Sequence, residues 1–379
     1  MLPDSGLLVR ANLHTHSHAS AGSLAPFDHN HSPDASQLVK SGAQYHLGCL
    51  AITDHAETVT QQEWDANATA ADSAPDGLVV LRGFEWTHVT GLWEGDHVNV
   101  FGTIDQVKST KAENQAACGE TLGDLHLLYN WLASAGSLYD APVVAQFNHV
   151  AFAGPHFDHF APPPSEAVRD VLTLAELAIT RPFTASDGAR AMTWNSFPVF
   201  VQRGEPRWRQ ALANGWRLSP TLNADNDGVL EPSARRYHTG IFLKPGSSPS
   251  RKAILEALAA RRTFASQDGD AEIQLWYGQD FMGSTDVRVA PGSSFRLMYR
   301  HPESHADHPD LDMGRSVSVL QGQEHPLPDA QREGDFWVWD IAAPAQPGEY
   351  YLYARLRQPS QLHPLWGDYL FSAPIWFRV

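Results

Sequence analysis

Short apolar runs alternate with amphipathic helical patterns along the chain up to about residue 267. Runs of four to eight apolar residues predict strands, and a 3.6-residue apolar period predicts helices. The predicted strands are Leu8–Leu13, Leu50–Thr53, Val79–Phe84, Val98–Phe101, Val143–Phe147, Thr173–Ile179 and Arg217–Leu222. The predicted helices are Asp34–His46, Leu122–Ala135, Trp194–Asn214 and Arg251–Arg261. Strands separated by helices, mostly one to a unit, predict an α/β fold, namely a parallel seven-stranded barrel over residues 1–268; an open doubly wound sheet is the alternative.

The pattern changes at Gln267-Asp-Gly-Asp270, beyond which no helical period is visible. Alternating apolar runs follow, from Ile273–Tyr277 to Ile375–Val379, and Gly and Pro turns separate them. Short alternating strands with such turns are typical of a β-sandwich. We therefore expect residues 269–379 to form a small all-β sandwich domain, which either packs on the barrel and stabilises it or binds a partner.

Composition narrows the class of protein. Apolar residues make up 42% of the chain and charged residues 18%, which indicates a globular protein rather than a disordered one. The net charge of −16 argues against a nucleic-acid surface, which needs clustered Lys and Arg. No apolar run is long enough to span a membrane, and the first residues lack the features of a signal peptide. We expect a cytoplasmic protein without nucleic-acid or membrane partners, or a periplasmic one if a signal peptide has been removed; the oligomeric state stays open.

Histidine is in excess, at 19 residues, and a pair of histidines stands at the first predicted strand end. His14 and His16 are two residues apart, so both side chains point to one face of an extended segment. The carboxyl ends of strands carry the active sites of α/β barrels. Paired imidazoles suit zinc, manganese or iron. The pair is a weak signal alone and gains weight only from what the other strands carry.

The other predicted strands also carry residues of the types that ligate metals. They are Asp54 and His55 after the second strand, Glu85 at the end of the third, His97 at the start of the fourth, Asn148 and His149 after the fifth, and Asp225 and Asp227 after the last. One such strand end is expected by chance. Six of them around the rim of one barrel, with the end that carries His14 and His16 included, are not. The set therefore predicts a metal site, with Asp54 as a residue that orients a ligand rather than a ligand itself.

This order of motifs resembles the polymerase and histidinol phosphatase (PHP) superfamily. The resemblance extends from residue 8 to about residue 230 and rests on His14-Thr-His16, Ile52-Thr-Asp-His55, Glu85, His97, Asn148-His149 and Asp225. It implies a distorted seven-stranded barrel with two or three divalent metal ions, followed in one two-domain subgroup by a β-sandwich. That subgroup is similar to enzymes that hydrolyse carbamate or phosphate esters.

The resemblance also implies a division of labour among the ligands. His14, His16 and Asp225 hold one metal, and Glu85 bridges to a second metal that His97 and His149 complete. His55 belongs to a third metal position where a member has one. As catalytic residues we expect His55 and His149, which move protons near the leaving group, together with the bridging Glu85.

Two departures from the family pattern affect the third position. The family often has an acidic or His ligand where this chain has Ala21 and Gly22, and a His where it has Asp227. We therefore expect two metals, with a third lacking or rebuilt from His18, Asp28 or Asp227. An amidohydrolase barrel is the rival, but its bridging Lys has no counterpart, because no Lys occurs between Lys111 and Lys244.

The leading hypothesis is a metal-dependent phosphoesterase that uses a metal-activated water. A carboxylic or carbamic ester hydrolase on the same barrel and a non-catalytic metal- or carbohydrate-binding protein are the alternatives. The expected partner is a small, anionic ester, because bound cations would invert the local negative charge. Its predicted binding residues are Arg181, Arg190, Arg235, Arg236 and His238.

Overall fold

The computed structural model describes residues 4–20, 33–89, 95–109, 116–151, 157–179, 198–225, 237–302, 309–359 and 367–379. The strands are β1 Leu8–Asn12, β2 Cys49–Ile52, β3 Val79–Val89, β4 Gly95–Phe101, β5 Val107–Lys108, β6 Glu120–Thr121, β7 Val144–Phe147, β8 Leu172–Ile179, β9 Ser219–Asn223, β10 His238–Phe242, β11 Thr263–Ser266, β12 Glu272–Tyr277, β13 Asp280–Phe281, β14 Val287–Arg288, β15 Ser294–Arg300, β16 Val317–Leu320, β17 Gln323–Pro326, β18 Gln331–Glu333, β19 Phe336–Ala342, β20 Glu349–Gln358, β21 Asp368–Ser372 and β22 Ile375–Arg378. The helices are α1 Ala35–Gln44, α2 Gln61–Asp72, α3 Leu125–Leu132, α4 Glu166–Val171, α5 Pro198–Ala213 and α6 Arg251–Ala259.

The predicted α/β barrel is wrong, because the chain is mostly β. Strands account for 39% of the described residues against 21% in helices, and the main sheet is a curled, mixed half-barrel with 13 strands on its main path. Its strand order is β14-β22-β20-β21-β11-β10-β1-β2-β3-β4-β7-β8-β9. All seven strands predicted in the first 268 residues are present within a few residues of their predicted bounds. The error therefore concerns the pairing and the relative direction of the strands, not their positions in the sequence.

Antiparallel pairing is what separates this sheet from a (β/α)7 barrel. Strand β3 runs on to Val89 and β4 begins at Gly95, so the two form a hairpin whose connection is too short for a helix. Strand β4 also pairs antiparallel with β7, and β1 pairs antiparallel with β10. Parallel pairing joins β1, β2 and β3 on one side of this hairpin, and β7, β8 and β9 on the other.

The main sheet continues across the predicted domain boundary at residue 268. Strand β11 pairs antiparallel with β21, which leads on to β20 and β22. A second sheet of order β13-β12-β15-β19-β18 shares an apolar core with this region, in which Phe295 and Trp339 lie in one cluster with Leu370 and Ile375. The division into two domains stays a prediction.

Helix α5 packs against strand β20 and so links residues before the predicted boundary at residue 268 with residues after it. The fully buried ring of Trp208 packs 4.6 Å, centroid to centroid, from Tyr353 of β20. On the same helix, the buried carboxylate of Glu205 accepts hydrogen bonds from the Tyr353 hydroxyl at 2.6 Å and from Arg209 and Arg355, each at 2.6 Å. None of the helices described is long and apolar enough to cross a membrane.

Strand β1 shows how the sheet positions polar side chains. Val9, Ala11 and Leu13 lie in an apolar cluster with side chains of helix α6. Because successive side chains alternate between faces, Asn12 and His14 point to the opposite, concave face of the sheet. Both are fully buried, so the concave face of the sheet carries buried polar side chains, with His14 just beyond the C-terminal end of β1.

Candidate metal centre

Five histidine side chains surround one buried carboxylate, that of Glu85. Their imidazoles form a closed ring in which neighbouring centroids are 4.5 to 5.9 Å apart. In order around that ring they are His14, His16, His55, His97 and His149. Glu85 is 1% exposed. The structure thus brings together all five histidines that the sequence predicts as ligands, together with the predicted bridging glutamate.

Both carboxylate oxygens of Glu85 face imidazole nitrogens. The distances from Oε1 are 3.0 Å to His97 Nδ1, 3.3 Å to His14 Nε2 and 3.6 Å to His149 Nε2; those from Oε2 are 3.0 Å to His55 Nδ1 and 3.5 Å to His16 Nε2. The Asn148 amide donates a hydrogen bond to Oε1 at 2.7 Å. A carboxylate that shares imidazoles between its two oxygens has the geometry of a bridging ligand.

One half of the site consists of His14, His16 and Asp225. The two Nε2 atoms are only 3.2 Å apart, and they lie 3.4 and 3.1 Å from Asp225 Oδ1. Two ring nitrogens that converge with a carboxylate oxygen at one point suit a borderline cation. The ligand atoms of His14, His16 and Glu85 lie within 4.8 Å of one another, as one ion requires.

The other half is formed by His55, Glu85 and His97, whose ligand atoms also lie within 4.8 Å of one another. His149 Nε2 completes this side of the carboxylate. His55 Nδ1 is also 2.7 Å from the Thr87 hydroxyl. His55, which the resemblance implies for a third metal position, therefore contacts the same carboxylate, that of Glu85, as the other four histidines.

The strand connections explain how these residues meet. His14 and His16 follow β1, and Glu85 lies within β3. Because β3 and β4 form a hairpin, His97 lies directly opposite Thr87 and so on the same edge as Glu85. His149 and Asp225 follow β7 and β9 and have φ angles of 31° and 46°. Such backbone angles are unfavourable for residues with a Cβ and cluster at functional sites.

Glu176 is a residue of the site that the sequence analysis missed. It lies on β8, is fully buried, and its two oxygens are 3.2 and 3.1 Å from His14 Nδ1. It also accepts hydrogen bonds from the His149 backbone N–H and the Asn223 side chain, each at 2.8 Å. Such a carboxylate behind an imidazole fixes the tautomer that presents Nε2 to a metal. A single glutamate within the otherwise apolar run of residues 174–179 was the available signal.

Asp54 acts on the ligands through a serine, in line with the orienting role predicted for it. Its carboxylate accepts hydrogen bonds from the hydroxyls of Ser17 and Ser20 at 2.7 and 2.8 Å and from the Asn67 amide at 2.8 Å. Ser20 Oγ in turn lies 3.1 Å from His16 Nδ1. The contact sets the orientation of the His16 ring from its far side.

Burial and neighbouring charges act in opposite directions on the pKa values of the buried side chains of the site. Burial alone would lower the pKa of His14, but Glu176 and two further carboxylates raise it well above its ordinary value. Burial alone would raise the pKa of Glu85, but His55 and its neighbours hold it well below its usual range. Burial lowers the pKa of His149. A divalent cation that binds here would displace the proton from an imidazole such as that of His14.

The predicted substrate residues are less well defined by the structure. Arg181, Arg190, Arg235 and Arg236 lie outside the described residues, as do Asp28 and Asp227 of the proposed third position. His18 is exposed, and its backbone N–H donates to Pro33 O. His238 begins β10, is fully buried and packs edge-on against Phe264. Its role in substrate binding stays a prediction.

No protein-family model matches this chain, and the comparison with curated proteins finds no match. The resemblance to the PHP superfamily therefore stays a prediction, and the fold it implies is not the fold observed.

Proposed function

We propose that this protein is a metal-dependent hydrolase that cleaves small, anionic esters, in the first place phosphoesters, at a two-metal centre. One observation carries the proposal: five imidazoles converge on the buried carboxylate of Glu85, and the Asp225 carboxylate meets two of them, those of His14 and His16. Structural zinc sites are usually closed sets of four ligands with Cys. A larger set of His, Asp and Glu around a shared carboxylate is typical of catalytic pairs of metals.

The donor set fits two divalent ions of the zinc, manganese or iron type. His14, His16 and Asp225 would hold one ion, and His97, His149 and His55 the other, with Glu85 between them. The Oε2 atom of Glu85 is buried and faces the nitrogens of His55 and His16 but forms no hydrogen bond with the described residues, and a metal would supply a partner. Two such ions supply Lewis acidity, which lowers the pKa of water and balances charge on an ester.

The chain itself supplies orientation and proton handling. The Asn148 amide holds Glu85 Oε1 in place, and Glu176 holds the His14 ring. His149 and His55, which are 6% and 2% exposed, are the residues that we propose to pass a proton to the leaving group. The phosphoester is preferred over an acyl ester because it carries its own negative charge. The bound cations would attract such a substrate, although the protein as a whole is strongly acidic.

Metal analysis combined with a substrate panel tests the proposal. The purified protein, and Glu85→Gln beside it, would be analysed for bound metal and assayed with nitrophenyl phosphate mono- and diesters and acyl esters, with Mn²⁺ and with Zn²⁺. We expect two equivalents of metal in the wild type, fewer in Glu85→Gln, and phosphoester turnover only in the former. Glu166→Gln, at a glutamate with an 86% exposed side chain, is the matched control.

Each outcome of that experiment bears on a different part of the proposal. Full metal content and full activity in Glu85→Gln would refute the assignment of the site. Turnover of acyl esters alone would replace the phosphoesterase with the carboxylic or carbamic ester hydrolase. Two bound metals without turnover of any ester would point to a non-catalytic metal-binding protein.

A further inference from the structure

A cleft of about 450 Å³ lies between the first strand and the second sheet. The segment from Asp4 to Leu8 and Arg10 form one side, with Phe242 at the floor, and β12, β15 and Phe336 form the other. Arg10 and His14 lie on the same face of the β1 segment, four residues and so about 13 Å apart. The cleft therefore opens at the end of the curled sheet away from the histidine cluster, and no ligand residue of that cluster lines it.

The cleft contains a guanidinium group, that of Arg10, that forms no ion pair with a described residue, although the Asp4 carboxylate also lines the cleft. The side chain of Arg10 makes no hydrogen bond or ion pair within the described part of the chain, and its Nε atom is buried. The other arginine of the cleft, Arg300, is already neutralised, because its Nε and Nη2 atoms lie 2.8 and 2.6 Å from Glu272 Oε2. The Nε–H of Arg10 is buried without an acceptor, which is costly, and the rest of this half-buried side chain lines the cleft.

The rest of the lining is suited to an apolar group. Leu8, Phe242, Met298 and Phe336 contribute apolar surface, and Leu7 at the rim is 49% exposed. Cavities that bind small molecules combine such surface with a few polar groups that fix orientation. One unpaired guanidinium balances one negative charge, and its planar edge matches a carboxylate with two parallel hydrogen bonds.

We propose that this cleft binds a small amphipathic carboxylate, with the carboxylate on Arg10 and the apolar part against Phe242 and Met298. The site is separate from the metal centre, and the inference does not depend on the function proposed above. It adds a second ligand to the protein at the junction of β1 with the C-terminal sheets.

Calorimetric titration with benzoate and with its neutral amide, benzamide, tests the proposal. We expect one benzoate per chain, about tenfold or more weaker binding of benzamide, and a similar loss of benzoate affinity in Arg10→Met. Arg10→Lys keeps the charge but loses the two-pronged edge, so it should bind with intermediate affinity. Arg288→Met, at an exposed arginine of β14, is the control that should bind like the wild type.

Carboxylates also ligate metals, so the titration is repeated on Glu85→Gln. Benzoate binding that survives there and is weakened by Arg10→Met supports the cleft, whatever the fate of the metal centre. Binding lost in Glu85→Gln but retained in Arg10→Met assigns benzoate to the metal centre and overturns the proposal. Equal affinity for benzoate and benzamide, or no saturable binding, overturns it as well, and Arg10→Lys decides if Arg10→Met fails to fold.

Discussion

Replacing Glu176 by Gln should weaken metal binding without removing a metal ligand. The Oε1 atom of Glu176 accepts a hydrogen bond from the Asn223 amide and Oε2 accepts one from the His149 backbone, while both oxygens face His14 Nδ1. A glutamine has the same shape but only one acceptor oxygen. Whichever way the amide is turned, its NH₂ group faces another N–H donor.

The size of the effect follows from these contacts. One buried donor left without an acceptor costs about 1–3 kcal/mol of stability. The loss of the carboxylate behind His14 lowers the basicity of that ligand, and changes of this kind cost about 10–100-fold in metal affinity. The assays are urea denaturation of the metal-free protein and calorimetric titration with Zn²⁺ or Mn²⁺. Glu166→Gln, whose side chain is exposed, should match the wild type in both.

The two measurements separate a structural role from a role in orienting the ligand. If the stability of Glu176→Gln falls but its metal affinity stays within about threefold of the wild type, Glu176 only fills the interior of the sheet. If neither quantity changes, the hydrogen bonds assigned to the carboxylate do not hold the site, and the argument from its position is refuted.

Two further predictions concern stability away from the site. Glu205→Gln should lower the free energy of unfolding in urea by about 3 kcal/mol, because it breaks a buried ion-pair network. The control Glu349→Gln, in an exposed ion pair, should change this free energy little. Equal free energies of unfolding for the two variants would contradict the role of the network. Burial alone would raise the pKa of Asp268, but the hydrogen bond from His301 and backbone N–H groups lower it to about 2, from an ordinary 3.8. The ionised Asp268 therefore stabilises the fold by about 2 kcal/mol, an effect that is complete above pH 3.8 and lost as the pH falls through about 2. In urea titrations, Asp268→Asn should be less stable than the wild type at pH 6 and should approach it near pH 2. A difference in stability that does not depend on pH would exclude the carboxylate as its cause.

The local elements of the fold were predictable because they depend on neighbouring residues. The apolar runs locate every strand from β1 to β9 that carries a site residue, since burial on both faces leaves a continuous apolar signature. Helix α2 was missed although its start is marked: Thr60 and Glu63 form a reciprocal capping box. Strands β10 and β11 were also missed, and they are the ones that join β1 to the C-terminal sheet.

The ligands of the candidate site were predictable for a different reason. Histidines and carboxylates at strand ends are polar groups next to buried segments, where they are costly unless they have a partner. Glu176 escaped because it lies inside an apolar strand, where a single carboxylate is easily attributed to a surface position. Its role depends on contacts with residues 162 and 47 positions away, His14 and Asn223, and no local pattern encodes such pairs.

The fold that was predicted and the ligands that were predicted were in conflict at one residue, His97. In a barrel of parallel strands, a residue that begins the fourth strand lies at the opposite end from Glu85, which stands near the end of the third. Both can ligate one centre only if β3 and β4 run antiparallel, so that the start of β4 lies beside the end of β3. The hairpin, in which Thr87 pairs with His97, meets this requirement. The ligand set thus contains information about topology that strand periodicity does not contain. A centre that includes both Glu85 and His97 requires β3 and β4 to be antiparallel, and this requirement excludes a barrel of parallel strands.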